Sequence, residues 1–497
     1  MELTINLASD TWDTVVRNGE ALDRGIKGKH DSFNAFVQYT VNGGKVSFKN
    51  DKDSVFSQKS LVYPLYYLCS DSDNTVFKRM NGYQPVGMGV SEDGFLEYKT
   101  KGGPVSPKEV LEFLLRSIIN KMGTISTLIL IVPDCFDQPK RKELIDIVNN
   151  IAPVYNNNDY NNKVSIKFVN HSTAAVGYLA YTKELKGKTA KVVTLRFESG
   201  MFEIGVFKDV SPLSAIPIVN LSDDSIGGID IITNGYKSFV NSMRSVLKDP
   251  DCDHKYRSFN WREIRNYISN YVMKSDEGID PDLYFDKDGE QVCYEYNSEN
   301  YDKARDKIKK EIKKSIEMCL MLSGLDPSDI TYVVSTGPWS DYIEMEGIVK
   351  EVFPKQDCLF RKLNDKNLCE SVSQVFSDSS TAIIKQGLQT SWGIRYKDQT
   401  LLLLDRFTVY PTENPIKQYF RFTPSKDDGD RKLSLYMVSM NSNKRQDIER
   451  YDIQPYSVPG EQMICPVDVT VDENGIVSIK LYSNLDRKQL IEKDLSF

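Results

Sequence analysis

The chain has 497 residues, enough for about three domains with large cores. Its composition, 40% hydrophobic and 27% charged, is that of an ordinary globular protein. The net charge of −7 gives no overall basic face, which argues against nucleic acid as a main partner. Eight cysteines, none at CxxC spacing, write no local zinc site and suit a reducing compartment. Cys252-Asp253-His254 reads as neighbours in a loop rather than a metal site, because structural zinc wants four ligands. The start, MELTINLASD, lacks the basic head and apolar core of a signal peptide, and the longest apolar run, LILIVP, is far short of a membrane span. The expectation is a cytoplasmic protein without a membrane partner.

In chain order, LTINLA at 3–8 alternates and stops at Ser9-Asp10, a strand entering a turn, and TWDTVVRNGE is its returning strand. Ser106-Pro107 opens a helix that a glycine closes at 123. STLILIVPDCF reads as a buried strand ending at Pro133, PKRKELIDIVNNIAP as an amphipathic helix and VSIKFVNH as another strand. STAAVGYLAYTKEL reads as a helix capped by Ser172. AKVVTLRF and MFEIGVF form a second hairpin, and a helical stretch is expected over about 228–275. Residues 302–324 form a strong helix with Ile308, Ile312, Ile316 and Leu320 on one face. Its seven basic residues against three acids over 302–314 read as a solvated face. DITYVVSTG is a strand ending in a glycine turn, and DYIEMEGIVKEVF and STAIIKQGLQTSWG read as helices.

The two halves repeat one theme, so a duplicated α/β domain with a cleft between the copies is the economical architecture. The loops at 7–11, 196–200 and 335–340 are then expected to face that cleft. After Gly393 helical periodicity gives way to short strands, among them NPIKQYFRFTP, KLSLYMVSM and the hairpin CPVDVTVDENGIVSIKLYS with Asn474-Gly475 at its tip. TLLLLDRF at 400–407 is too apolar for an idle linker.

The order of these elements resembles the 70-kilodalton heat-shock chaperones, the DnaK family. LILIVPDCF looks like that family's strand ending VPAYF, VNHSTAAVGYLAY like INEPTAAALAYG, and DSIGGIDII like LGGEDFD. LSGLDPSDITYVVSTG, the leucine run TLLLLD and VDVTVDENGIVSIKLYS resemble further family segments, colinear over nearly the whole chain. The resemblance implies an α/β plus all-β protein: an actin-like ATPase domain of two RNase H-like lobes around a central cleft, then a small β-sandwich. It implies lobe I over about 1–185, lobe II over about 186–375 with the last helix returning to lobe I, the whole domain spanning 1–393. An apolar linker follows at 394–405, then a truncated peptide-binding sandwich at 406–497 without the family's helical lid.

The departures fall at the chemistry. Against the first phosphate loop, IDLGTT, stand Asn6, Ala8, Ser9 and Asp10, so the family's magnesium-orienting acid becomes an amide and a glycine becomes alanine. Against the second, DLGGGTFD, stand Arg196, Glu198, Ser199, Gly200, Met201 and Glu203, and the first acid is reversed in charge. His171 matches the family's catalytic glutamate, Ser172 its proline, and Thr173 is kept. Gly227 and Gly228 match the LGGEDFD glycines. Gly337, Pro338 and Trp339 fall in the adenosine loop GGSTR, which loses one glycine and its arginine. Magnesium wants carboxylate, water and phosphate oxygens, and a loop that grips phosphate needs close backbone approach without competing acids. ATP or ADP is the ligand implied by the resemblance, and magnesium is not expected. Arg196 is expected either to hold a phosphate where the metal stood or to pair with Glu198 or Asp10 and lock the cleft. Three functions remain open: a chaperone-type protein with a non-hydrolysing site, a working ATP-binding chaperone, and an adaptor using the frame for partner contacts. An extended peptide at 406–497 or another protein is the expected partner.

Overall fold

The protein is described by a computed structural model that covers residues 1–8, 11–17, 29–34, 37–42, 45–49, 61–62, 88–91, 96–122, 125–151, 164–182, 184–185, 189–228, 230–231, 283–287, 290–294, 298–353, 358–377, 383–425, 432–441, 444–453, 460–483, 485–487, 489–491 and 493. Ser9, Asp10, Cys252, His254 and most of the expected 228–275 helix lie outside these residues.

Strands β1 (Glu2–Asn6), β2 (Thr11–Arg17) and β3 (Lys29–Asn34) form an antiparallel meander. Helix α1 (Pro107–Met122) follows, opened by a reciprocal cap in which Glu109 N–H donates to Ser106 Oγ and Ser106 N–H to the Glu109 carboxylate. Then come β4 (Thr127–Val132), α2 (Gln138–Ile151), β5 (Ser165–Asn170) and α3 (His171–Thr182). β4 lies parallel between β1 and β5, and all six of its side chains are buried. The sheet order is β5-β4-β1-β2-β3.

The plan then repeats. β6 (Ala190–Phe197), β7 (Phe202–Val210) and β8 (Ser214–Asp223) form a second meander. After α4 (Ser298–Ser323), β9 (Tyr332–Thr336) pairs parallel with β6. After α5 (Met345–Val352), β10 (Leu359–Lys362) pairs parallel with β9. With the short β11 (Ile383–Ile384) beside β8, the order is β10-β9-β6-β7-β8-β11. In both sheets two parallel strands extend the side of the meander's first strand. Helices α3 and α6 (Asp365–Val375) pack between the sheets. There Ala174, Ala175, Val176, Leu368 and Val372 meet Ile129 and Ile131 of the first sheet and Val192 and Val334 of the second. The small residues of α3 let both sheets approach.

The C-terminal part is a sandwich of two four-stranded sheets. Its strands are β13 (Ser391–Tyr396), β14 (Gln399–Leu404), β16 (Ile416–Phe422), β17 (Leu433–Asn441), β18 (Lys444–Ile453), β19 (Met463–Val471), β20 (Val477–Tyr482) and β21 (Leu490–Ile491), with the short pair β12 (Gln386–Gly387) and β15 (Val409–Tyr410) beside them. Two expectations need correction. Residues 380–393 are not a helix: within the described part they form β11, β12 and the start of β13, and the spacing of Ile384, Leu388 and Trp392 only imitates a helical face. Residues 394–405 are not a linker but most of the β13–β14 hairpin. A register shift at Trp392/Gly393 turns both Leu403 and Leu404 into the sandwich core, so the leucine run fits a strand without alternating. Helix α5 is also shorter than expected, because Glu344 takes a left-handed φ of 52° at its start.

Candidate functional site

The carboxyl ends of β1, β6 and β9 meet at the start of α3, as expected for paired parallel-strand units. The side chains gathered there are almost fully buried: Asn6, His171, Arg196, Glu198 and Glu203 are each 2% exposed or less. Ala8, Thr173 and Ser199 are buried with them.

Arg196 leaves β6 between two carboxylates. Its Nη1 donates to Asp365 Oδ1 at 2.7 Å and its Nη2 is ion-paired with Glu198. Its Nε lies 4.0 Å from Glu203 Oε2. Asp365 opens α6, which packs on β1 and β2, so this guanidinium ties the second sheet to a helix of the first. Of the two partners expected for Arg196, the Glu198 pair is present and Asp10 lies outside the described residues. Asp365 was not legible in the sequence; the only signal was an acid in the first turn of a helix.

Beside this pair a second chain of contacts runs through His171. Its Nδ1 lies 2.8 Å from Glu203 Oε2 and its Nε2 3.0 Å from Asn6 Oδ1. Glu203 Oε1 accepts from the Asp134 backbone N–H at 2.5 Å. Asp134 Oδ1 in turn accepts from Ser172 N–H at 3.1 Å, so the carboxyl at the start of α3 is Asp134, and Ser172 sits inside the helix rather than capping it. Ser172 Oγ accepts from Asn220 Nδ2. Burial pushes the Glu203 carboxyl up to about 8 and Asp134 well above the usual carboxylate range. Burial, with the nearby Arg196 charge, holds His171 well below the usual imidazole range. The Arg196 guanidinium stays protonated despite its burial, held by Asp365 and Glu198.

The β6–β7 turn reaches across the cleft. Met201 is buried in the hydrophobic core of the first sheet. Gly227 and Gly228 close on this turn: Gly228 N–H donates to Glu198 O at 2.9 Å, and a Cβ at Gly227 would stand 2.5 Å from Ser199 O. Gly337 takes a φ of 93°, and a Cβ there would stand 2.5 Å from Phe197 O. Pro338 follows half-buried, and Trp339 then turns its indole fully inward. Nε1 of that indole donates to Ser199 Oγ at 2.8 Å, and a Cβ at Gly228 would collide with the ring. The indole thus fills the angle between the second loop, the paired glycines and the third loop. Of the residues expected at the cleft, Asn6, His171, Arg196, Glu198, Ser199, Gly200, Glu203, Gly227, Gly228 and Gly337 converge here, with Ala8, Thr173 and Pro338 beside them in the chain.

Behind the cleft the sandwich is joined to the first sheet by a second buried arginine. Arg141 of α2 donates from Nε to Phe136 O, from Nη1 to Tyr410 Oη and Asn474 O, and from Nη2 to Asn170 Oδ1. β5 is the open edge of its sheet, and two amide side chains pair with it. Asn474 Nδ2 donates to Ile166 O at 2.9 Å, and Phe168 N–H to Asn474 Oδ1 at 3.0 Å. Gln386 Nε2 donates to Phe168 O, and Asn170 N–H to Gln386 Oε1, both at 2.8 Å. Gln138 makes the same two-way contact with Val477. The Asn474-Gly475 turn was legible as a turn; that its amide serves as a strand rung was not.

Among the described residues no helix is long and apolar enough to cross a membrane. Comparison with protein-family models and with curated proteins finds no match.

Proposed function

We propose that the chain is a divergent protein of the 70-kilodalton heat-shock type, built on an actin-like frame, whose nucleotide cleft has become a structural joint that does not turn over ATP. The frame reading is supported by the two sheets of like strand order with α3 and α6 between them. One observation carries the loss of turnover: Arg196, at the position of a family metal-orienting acid, is buried between Glu198 and Asp365. A guanidinium already matched by two carboxylates has no charge left for a phosphate. The residues present do not fit magnesium, since an amide and a guanidinium stand where hard anionic oxygen is wanted. They do not fit the nucleotide either, since Trp339 occupies the angle between the loops and Met201 closes the turn onto the first sheet. The protein then acts by binding other polypeptides, as a chaperone-type or adaptor protein.

Steady-state phosphate release from ATP with millimolar magnesium tests this reading. The expectation is a rate no higher than that of an Arg196→Ala, Glu203→Gln double variant. Turnover abolished by chelating magnesium would return the chain to the working ATP-driven class.

A further inference from the structure

The contacts of His171 hold a choice of two proton arrangements. Asn6 Oδ1 faces Nε2, and only an N–H can be satisfied there; with the ring kept neutral by its burial, Nδ1 is an acceptor and takes a hydrogen bond from a protonated Glu203 Oε2. In this arrangement a carboxylic acid donates to Nδ1, Nε2–H donates to Asn6 Oδ1, and Asn6 Nδ2 is left buried without a hydrogen-bond partner. That orphaned donor sits on the same amide that meets the ring. Turning the Asn6 amide by half a rotation aims Nδ2–H at Nε2, which becomes the acceptor. Nδ1 then carries the hydrogen and donates to a Glu203 carboxylate. Each arrangement leaves one amide atom of Asn6 unpaired, so neither is favoured by its hydrogen-bond count.

We propose that Asn6, His171 and Glu203 form a proton-operated switch, in which loss of one proton from Glu203 moves His171 from its Nε2–H to its Nδ1–H tautomer and turns the Asn6 amide. The proton balance is closed: Glu203 releases its proton to solvent, the hydrogen on Nε2 leaves through the same exchange while one is taken up at Nδ1, and the imidazole is neutral before and after.

The groups facing this chain come from every element around it. They are Asp134 before α2, Arg196 of β6, Glu198 of the β6–β7 turn, and Asp365 and the buried Cys369 of α6, whose thiol burial keeps protonated. Arg196 Nε, 4.0 Å from Glu203 Oε2, and the Asp134 backbone N–H that donates to Oε1 favour the deprotonated form; the Glu198 carboxylate opposes it. Burial outweighs the guanidinium and holds Glu203 protonated up to about pH 8. Below that pH the Nε2–H tautomer is present, and above it the Nδ1–H tautomer, with the ratio changing about tenfold per pH unit. Because Asn6 lies on β1 and Glu203 on β7, the switch spans both sheets at the point where they meet.

The test uses the full chain labelled with nitrogen-15 histidine, read by long-range proton–nitrogen spectra between pH 6 and 10. Variants His30→Gln and His254→Gln assign the remaining signal to His171. The expected result is a neutral ring at pH 6 with the hydrogen on Nε2, exchanging near pH 8 for a ring with the hydrogen on Nδ1. In Glu203→Gln, where nothing titrates, the tautomer is expected to stay fixed over the whole range. A wild-type ring whose tautomer does not change, a ring protonated on both nitrogens at pH 6, or an unaltered transition in Glu203→Gln overturns the proposal. The wild-type spectra decide even if the variant fails to fold. They involve no nucleotide, so ATP turnover would overturn the function proposed above without touching this result.

Discussion

Two buried arginines join the parts of this molecule, and they are held in opposite ways. Arg196, in the cleft, sits between carboxylates, beside a histidine and an acid whose protonation is shifted by burial. Arg141, in the sandwich joint, has carbonyl, hydroxyl and amide partners, and among the described residues no carboxylate within ion-pairing distance. The cleft is therefore an electrostatic joint whose parts depend on each other's charge. The sandwich joint is a geometric one, in which side chains supply hydrogen bonds that another strand would have made. An interface between domains is served better by neutral groups that satisfy backbone donors and acceptors.

Truncation should separate the two most strongly. Arg196→Ala leaves Glu198 and Asp365 buried without their cation, a loss of about 3–5 kcal/mol. Adding Glu198→Gln and Asp365→Asn should recover part of it. Arg141→Ala should cost less, about 1–3 kcal/mol, because it leaves behind neutral carbonyl, hydroxyl and amide groups rather than unpaired charges. Urea unfolding measures both; equal losses, or no recovery in the triple variant, would contradict the contrast.

A smaller and more local effect is expected at the edge of β5. Asn474→Asp preserves the turn, since Asp-Gly is as suited to it as Asn-Gly, but replaces the donor to Ile166 O with an acceptor. Ile166 O then faces a carboxylate oxygen, and as that repulsion loosens the rung the Phe168 amide, which donates to the same side chain, should exchange with deuterium about tenfold faster. The amides of Thr127–Val132 in the neighbouring strand should be unchanged. Acceleration throughout the sheet would mean that the amide rung is part of the core rather than a fastening.

Much of this architecture could be read from the sequence where one periodicity dominated. The fully buried β4, apolar after Thr127, the Ser106–Glu109 cap of α1 and the isoleucine face of α4 each admit a single reading. The segment from 380 to 405 did not, because Ile384, Leu388 and Trp392 lie at helical spacing although Ile384 and Trp392 belong to strands and Leu388 lies between two, and a bulge lets Leu403 and Leu404 both face inward. At the cleft, Asn6, His171, Arg196, Glu198 and Glu203 could be singled out from the loops they occupy. Their partners Asp134 and Asp365 could not, since they come from positions distant in the chain that only the meeting of two sheets brings near. Trp339 showed itself as an oddity in a loop, but its burial against Gly228 and Ser199 depends on three loops at once.

The most direct measurement is calorimetric titration of the full chain with ATP, in magnesium and again in chelator. A cleft closed by Arg196, Trp339 and Met201 should give no saturable heat in either condition at micromolar protein. Magnesium-dependent binding with a micromolar dissociation constant would contradict the account, because it would require both an anionic metal site and an open space between the loops.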